Sequence, residues 1–449
     1  MKTVVQFLGV LAWLQSAASP GNAQAVLKTL LNNGSDSNHL NVVFLSEGYT
    51  ADQLAKFESD ARSSRDFFLT FPPFNEYSNY FNFYAVEVAS AESGSSHPAD
   101  HILRDTYFHS TFGSYGIEKL LTIPPNDLDT NYDDGLGKVY SLLEALAPAY
   151  DLAAILVNDT EYGGGGGDVL VASLHSASRN IVMHETGHTL GKLGDEYGDA
   201  YPGYPDTEEP NTTTQTNRAL IKWRAWIKDT TPIPTPPTNG VDIGLFEGAH
   251  YHEFGWYRPK AFCCMRTVGL PYCEVCAETL VRSIYGLVPI ILSSSPEPSG
   301  PVSFDPTHGV AFSLAAPTPS THDIRFEWFT NRSSQIVASS NSFFLDDPSI
   351  TNLSVVARDV TPLVRTDLTG LLNATNQWAT VALPSLQATV SESALFLSWP
   401  AWGGRFTVES APTLLSPWLG VAAKPVQSGN RFQMTLSATN GSGYFRLKE

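Results

Sequence analysis

His184-Glu185-Thr186-Gly187-His188 holds the residues with the clearest chemical use in this 449-residue chain. Histidines four apart fall on one face of a helix, one turn above the other. Two imidazoles so placed can bind one zinc ion, at roughly 2.0–2.1 Å each. Glu185 stands beside the first histidine, where it can take a proton from water activated by the metal instead of ligating the metal itself. The five-residue pattern alone also occurs on ordinary surface helices, so its surroundings have to decide.

Upstream, Ser178–Met183 reads as the start of an amphipathic helix running into His184. Downstream, Gly191 and Gly194 are poor helix residues, and glycine tolerates the positive φ with which a helix ends and the chain turns. A turn there can return a third ligand to the metal. The metzincin pattern has a glycine at the place of Gly191, and it puts the third ligand at Gly194, which has no side chain to offer. Asp195 is the best substitute and Glu196 the second, with His97, His101, His109, His175, His250 and His252 as further candidates. Two histidines and one carboxylate leave a position open, as in catalytic zinc sites.

The stretch HETGHTLGKLGDEY, His184 to Tyr197, resembles the signature of the IgA-peptidase family of secreted zinc metallopeptidases, a metzincin-like group. Other segments match in family order: Leu45–Thr50, Ser90–Gly94 with His97-Pro98, Val157–Gly163, Gly244–Ala249, and Tyr257-Arg258-Pro259 leading into Cys263–Arg266. The resemblance covers residues 40–285. It implies an α/β metzincin-like catalytic domain with a mixed sheet and an active-site helix. It also implies a Zn2+ cofactor, a protein or peptide substrate, and peptidase activity, more readily endo- than exopeptidase. It singles out Met265 as the methionine of a Met-turn, where the plain reading is a core methionine. Tyr257 is a candidate to stabilise the tetrahedral oxyanion, or else a packed aromatic before Arg258.

All four cysteines, Cys263, Cys264, Cys273 and Cys276, fall in one short segment. Cys273-Glu274-Val275-Cys276 is a CxxC, which suits a thiolate zinc site or a redox pair. In an exported protein, disulfides are favoured. Adjacent cysteines bond poorly to each other, so Cys263 and Cys264 would each pair with Cys273 or Cys276.

Lys2, an apolar stretch through Leu14, and the small residues Ala17-Ala18 and Ala23-Gln24-Ala25 read as a cleavable signal peptide over residues 1–25, hence a secreted, periplasmic or cell-surface protein. Beyond it, no apolar run approaches a transmembrane span. The net charge of −18 argues against nucleic acid or an anionic membrane as partner.

The elements that must position these residues alternate across the catalytic domain, 26–292. Leu40–Leu45, Phe81–Val88, Leu152–Val157 and Asp168–Leu174 read as strands, and Ala51–Leu69 and Lys138–Ala147 as helices. Gly163–Gly167 precede the last strand, either as backbone bordering a substrate cleft or as a flexible surface loop. Ser293–Pro301 reads as a linker. The short alternating segments beyond it suggest a β-sandwich-like domain over 302–384 and a small β-module over 386–449. A non-catalytic secreted binding protein or adhesin with a structural metal is the rival reading, against which the intact Glu185 argues. A zinc hydrolase of non-peptide amides would share the same motif.

Overall fold

The computed structural model describes residues 25–239, 242–391, 393–437 and 443–449. The leader expected over residues 1–25 therefore lies outside the described residues but for Ala25. The protein is rich in β-structure, with several separate sheets and four α-helices among the described residues. No helix among them is long and apolar enough to cross a membrane. The chain forms two compact units. The first takes the described part of residues 1–32 with 41–68 and 82–189; the second takes 33–40, 69–81 and the described part of 190–449.

The first unit is built on a six-stranded mixed sheet. Its strands are β1 (Val26–Leu31), β2 (Leu40–Glu47) and β3 (Phe81–Glu87), then, past the small hairpin of β4 (Thr111–Phe112) and β5 (Leu121–Thr122), β6 (Leu152–Val157), β7 (Gly164–Gly165) and β8 (Leu170–Ser173). Their order is β1-β3-β2-β6-β8-β7. β2, β6 and β8 run parallel, whereas β7 lies antiparallel to β8 at the edge. Every residue of β2 and β6 is buried, which is why Val42–Leu45 of β2 and all of β6 read as unbroken apolar runs instead of alternating patterns. α1 (Leu54–Thr70) follows a turn in which the Gln53 side chain accepts from the Thr50 N–H at 3.1 Å. α2 (Leu136–Leu146) buries Val139 and Leu143 in a core shared with Val43, Leu45, Ile155 and Val157. α3 (Ser178–Gly191) carries the histidine motif.

The second unit contains a hairpin of β9 (Phe246–Ala249) and β10 (His252–Arg258), then α4 (Glu274–Leu287). After α4 come a three-stranded and a four-stranded sheet around Phe312, Trp328, Leu353, Val355 and Trp378. Two further small sheets surround a separate core of Leu397, Trp399, Val408 and Met434.

The expected linker needs correction over its first three residues. Ser293–Ser295 is a strand, paired with Val310–Ala315. Backbone groups alone make that pairing, so side chains that read as linker do not prevent it. The following β-region is also anchored within its unit. Asp359, buried, accepts from Tyr77 Oη at 2.9 Å, Tyr285 Oη at 2.5 Å and His322 Nε2 at 2.7 Å. Glu278 of α4 accepts from the Arg365 and Thr366 N–H groups and from the Trp226 indole. The Arg365 guanidinium lies 4.1 Å over the Trp226 ring.

Candidate active site

α3 is clipped at its start. Ser178 Oγ accepts from the Gly163 N–H at 3.2 Å and lies 2.9 Å from Ser173 Oγ, so the helix leaves β8 in a defined direction. His184 and His188 then stack on one face, as their spacing requires. His184 is buried, and the two Nε2 atoms stand 3.2 Å apart with the rings edge to face.

The glycine run is packed over its first three residues, Gly163–Gly165, and exposed at Gly166 and Gly167. Gly164 and Gly165 are buried and pair with Ala172 and Val171. Gly166 lies directly against Glu185: a Cβ on it would meet Glu185 Oε2 at 1.8 Å. No side chain fits there without moving the carboxylate, so the absence of one at Gly166 is what seats Glu185. The edge of β7 is partly used already, since Gly164 bridges Leu120 in parallel and its N–H donates to Lys119 at 3.3 Å.

The helix ends in a way the glycines did not forecast. Gly191 closes it, but the residue with positive φ is Lys192, at 51°. Gly194 is closely approached: a Cβ there would meet the Glu209 carboxyl carbon at 2.5 Å and push that carboxylate aside. Asn211, buried, grips this turn. Its Oδ1 accepts from the Gly194 N–H at 2.7 Å, and its Nδ2 donates to Gly194 O at 2.9 Å and to Glu196 Oε1 at 2.9 Å. Asp195 accepts from Tyr251 Oη at 2.7 Å, and its carbonyl accepts from the His250 N–H at 3.0 Å. His250 and Tyr251 both hold positive φ, 54° and 55°, a strained pair that faces Asp195. Burial, then the Asp195 hydrogen bond and charge, raise the Tyr251 hydroxyl above its ordinary pKa, keeping it a donor. Neither Asn211 nor Tyr251 could be found from the motif, as both act through loops distant in sequence.

The IgA peptidase M64 family model matches residues 29–241 and 237–284, more than half of the chain. The chain belongs to this family. Among curated proteins, none matches. Membership makes the protein a peptidase, acting on protein or peptide, in a family of metallopeptidases. Three groups among the described residues could hold a metal ion: His184, His188 and Asp195; Glu196, Cys263, Cys273 and Cys276; and His109, Asp129 and Asp134.

The family segments in the first unit have structural uses. Glu47, buried, accepts from Thr106 Oγ1 at 2.6 Å and from the Phe108 and Ser110 N–H groups at 2.8 Å each. Asn158 Nδ2 donates to Gly48 O, Gln53 Oε1 and Ser93 Oγ. His97 donates to Asp159 at 2.8 Å and stacks on Phe112. These bonds gather the loops beyond β2 and β6. His175 accepts from the Ala177 N–H, His250 donates to Pro205 O and His252 contacts His250 O. His101 stands at a left-handed cap.

In the second unit, Met265 is fully buried in a turn closed by the Arg266 and Thr267 N–H groups on Cys263 O, and its carbonyl accepts from the Glu196 N–H at 2.8 Å. The Tyr257 hydroxyl stands 3.5 Å from Glu247 Oε1, and burial with the nearby Glu247 charge raises its pKa. The expected disulfides are not formed: Cys263, Cys264, Cys273 and Cys276 are all free and buried. Cys276 Sγ stands 3.6 Å from Cys263 Sγ and 3.5 Å from Cys273 Sγ, far beyond the roughly 2.05 Å of a disulfide. Three cysteines converge on one point with Glu196, a geometry that pairing by twos does not produce. Burial, then the Cys263 charge, pushes the Glu196 carboxyl well above its ordinary pKa.

Proposed function

We propose that the protein is a secreted zinc endopeptidase, with His184, His188 and Asp195 as metal ligands and Glu185 as general base. The observation that carries this reading is the approach of His184 Nε2 and His188 Nε2 to 3.2 Å with Glu185 on the same turn. Nitrogens bound to one tetrahedral zinc at roughly 2.05 Å stand about 3.3 Å apart, so the pair fits the ion. Asp195, four residues past the helix end and held by Tyr251, supplies the carboxylate of a two-histidine, one-carboxylate set. The ion, when bound, supplies Lewis acidity that polarises a carbonyl and lowers the pKa of water. Glu185, held against Gly166, takes a proton from water at its carboxylate and passes it to the leaving amine. Met265 in its closed turn fits the Met-turn role, and Tyr257 fits that of an oxyanion donor if its hydroxyl leaves Glu247.

The fold reading that goes with this function is a metzincin-like α/β catalytic domain over residues 26–292, followed by a sandwich-like domain over 302–384 and a β-module over 386–449. Export by a leader ending near residue 25 belongs to the same reading. Glu185→Gln is the test. It removes the base and leaves the ligands, so the variant should keep its zinc and lose about 10²–10⁴-fold in peptide cleavage. A zinc-loaded variant with full activity would remove Glu185 from the mechanism.

A further inference from the structure

The cysteine cluster has the geometry of a second metal site. Cys273 and Cys276 stand at the start of α4, Cys263 comes from the Met265 turn, and Glu196 comes from the segment gripped by Asn211. All four are buried, and one ligand atom from each lies within 4.8 Å of the others. We propose that Cys263, Cys273, Cys276 and Glu196 bind a structural zinc ion.

The distances favour a shared central ion. Sulfurs bound at about 2.3 Å to a tetrahedral zinc stand about 3.8 Å apart, close to the 3.5 and 3.6 Å found on either side of Cys276. Cys276 Sγ is also 3.6 Å from Glu196 Oε1, about the sulfur-to-oxygen separation in the same coordination. Glu196 gives the second, independent observation. Its Oε2 is buried with no hydrogen-bond partner, an expensive state for a carboxylate unless a cation neutralises it.

The surroundings suit thiolates. The Cys273 N–H points at Cys263 Sγ at 3.1 Å. Cys273 caps the 14-residue α4, so the positive end of the helix faces the sulfurs. The Arg258 guanidinium, buried nearby, interacts electrostatically with Glu196. Three soft thiolates select zinc over calcium or magnesium, and four protein ligands leave no position for a substrate. Such an ion would tie the segment carrying Asp195 to the Met265 turn and to α4. It also engages Glu196, leaving Asp195 as the carboxylate for the histidine pair.

The experiment uses the full-length mature protein carrying His184→Ala and His188→Ala together, so that any remaining zinc cannot belong to the histidine site. Elemental analysis should find one zinc per chain, X-ray absorption should find sulfur neighbours at about 2.3 Å, and thiol titration in denaturant with chelator should find four free thiols. Absence of zinc, a nitrogen and oxygen shell without sulfur, or disulfides among these cysteines would overturn the proposal. Should the double variant fail to fold, an organomercurial is titrated into the wild-type protein. Release of one zinc per chain as Cys263, Cys273 and Cys276 react supports the site, and release of none overturns it. Failure of the histidine site would read differently: one zinc in the wild type, undiminished in the double variant.

Discussion

Glu185 can sit where it does because Gly166 has no side chain. A methyl group there would meet the carboxylate at 1.8 Å, so Gly166→Ala must displace the proposed base while leaving His184 and His188 in place. A displacement near 1 Å at a reacting group costs about 10²-fold in rate. The expected result is a kcat lower by about that factor with zinc content unchanged, read by peptide cleavage beside elemental analysis. An alanine variant with wild-type kcat would mean that the contact does not position Glu185. This contact was not legible in the sequence. Five glycines in a row announce backbone close to something or backbone free to move, and composition cannot choose between the two. His184, Glu185 and His188 were legible because a helix fixes the relation of residues four apart. Cys263, Cys273 and Cys276 were legible as a cluster but not as a set of three with Glu196, since that partner is 67 residues upstream of Cys263.

The turn after α3 is the element on which the proposed third ligand, Asp195, depends. Asn211 satisfies the Gly194 N–H, the Gly194 carbonyl and one Glu196 oxygen from a loop that carries no recognisable motif. Replacing it by alanine leaves buried polar groups without partners, at about 1–3 kcal/mol each. Asn211→Ala should lower Tm, and zinc affinity should weaken by about 10–100-fold as the Asp195 segment loosens. Unchanged Tm and metal affinity would show that the turn holds its shape without Asn211. Among the elements, β2 and β6 could be read from sequence because parallel strands buried on both faces carry continuous apolar stretches, Val42–Leu45 in β2 and the whole of β6. β7 could not, since glycine is poor strand material, and neither could the β9–β10 hairpin, where His252–Gly255 present no apolar alternation. α4 was hidden behind its own cysteines, which drew the reading towards covalent cross-links and away from helix periodicity.

At the scale of the whole molecule, the region past residue 293 is joined to its unit by specific bonds, not by a free tether. Asp359 collects the Tyr77 and Tyr285 hydroxyls and the His322 ring in a buried position. Asp359→Ala would strand those donors at about 1–3 kcal/mol apiece, so Tm should fall by several degrees while zinc content stays as in the wild type. A variant with unaltered Tm would show that this network adds nothing to stability. The linker reading failed at Ser293–Ser295 because it rests on side chains, whereas the pairing of those residues is made by the backbone. The central claim, that this member of the IgA peptidase family hydrolyses peptides with a metal on the α3 histidines, has a direct measurement. Purified mature protein is assayed on denatured protein substrate with and without chelator, with zinc quantified in the same sample and in the His188→Ala variant. The account predicts cleavage that chelator abolishes and zinc restores, with one zinc fewer per chain in the variant. Cleavage that survives complete removal of the metal, or equal zinc in the two proteins, would contradict it.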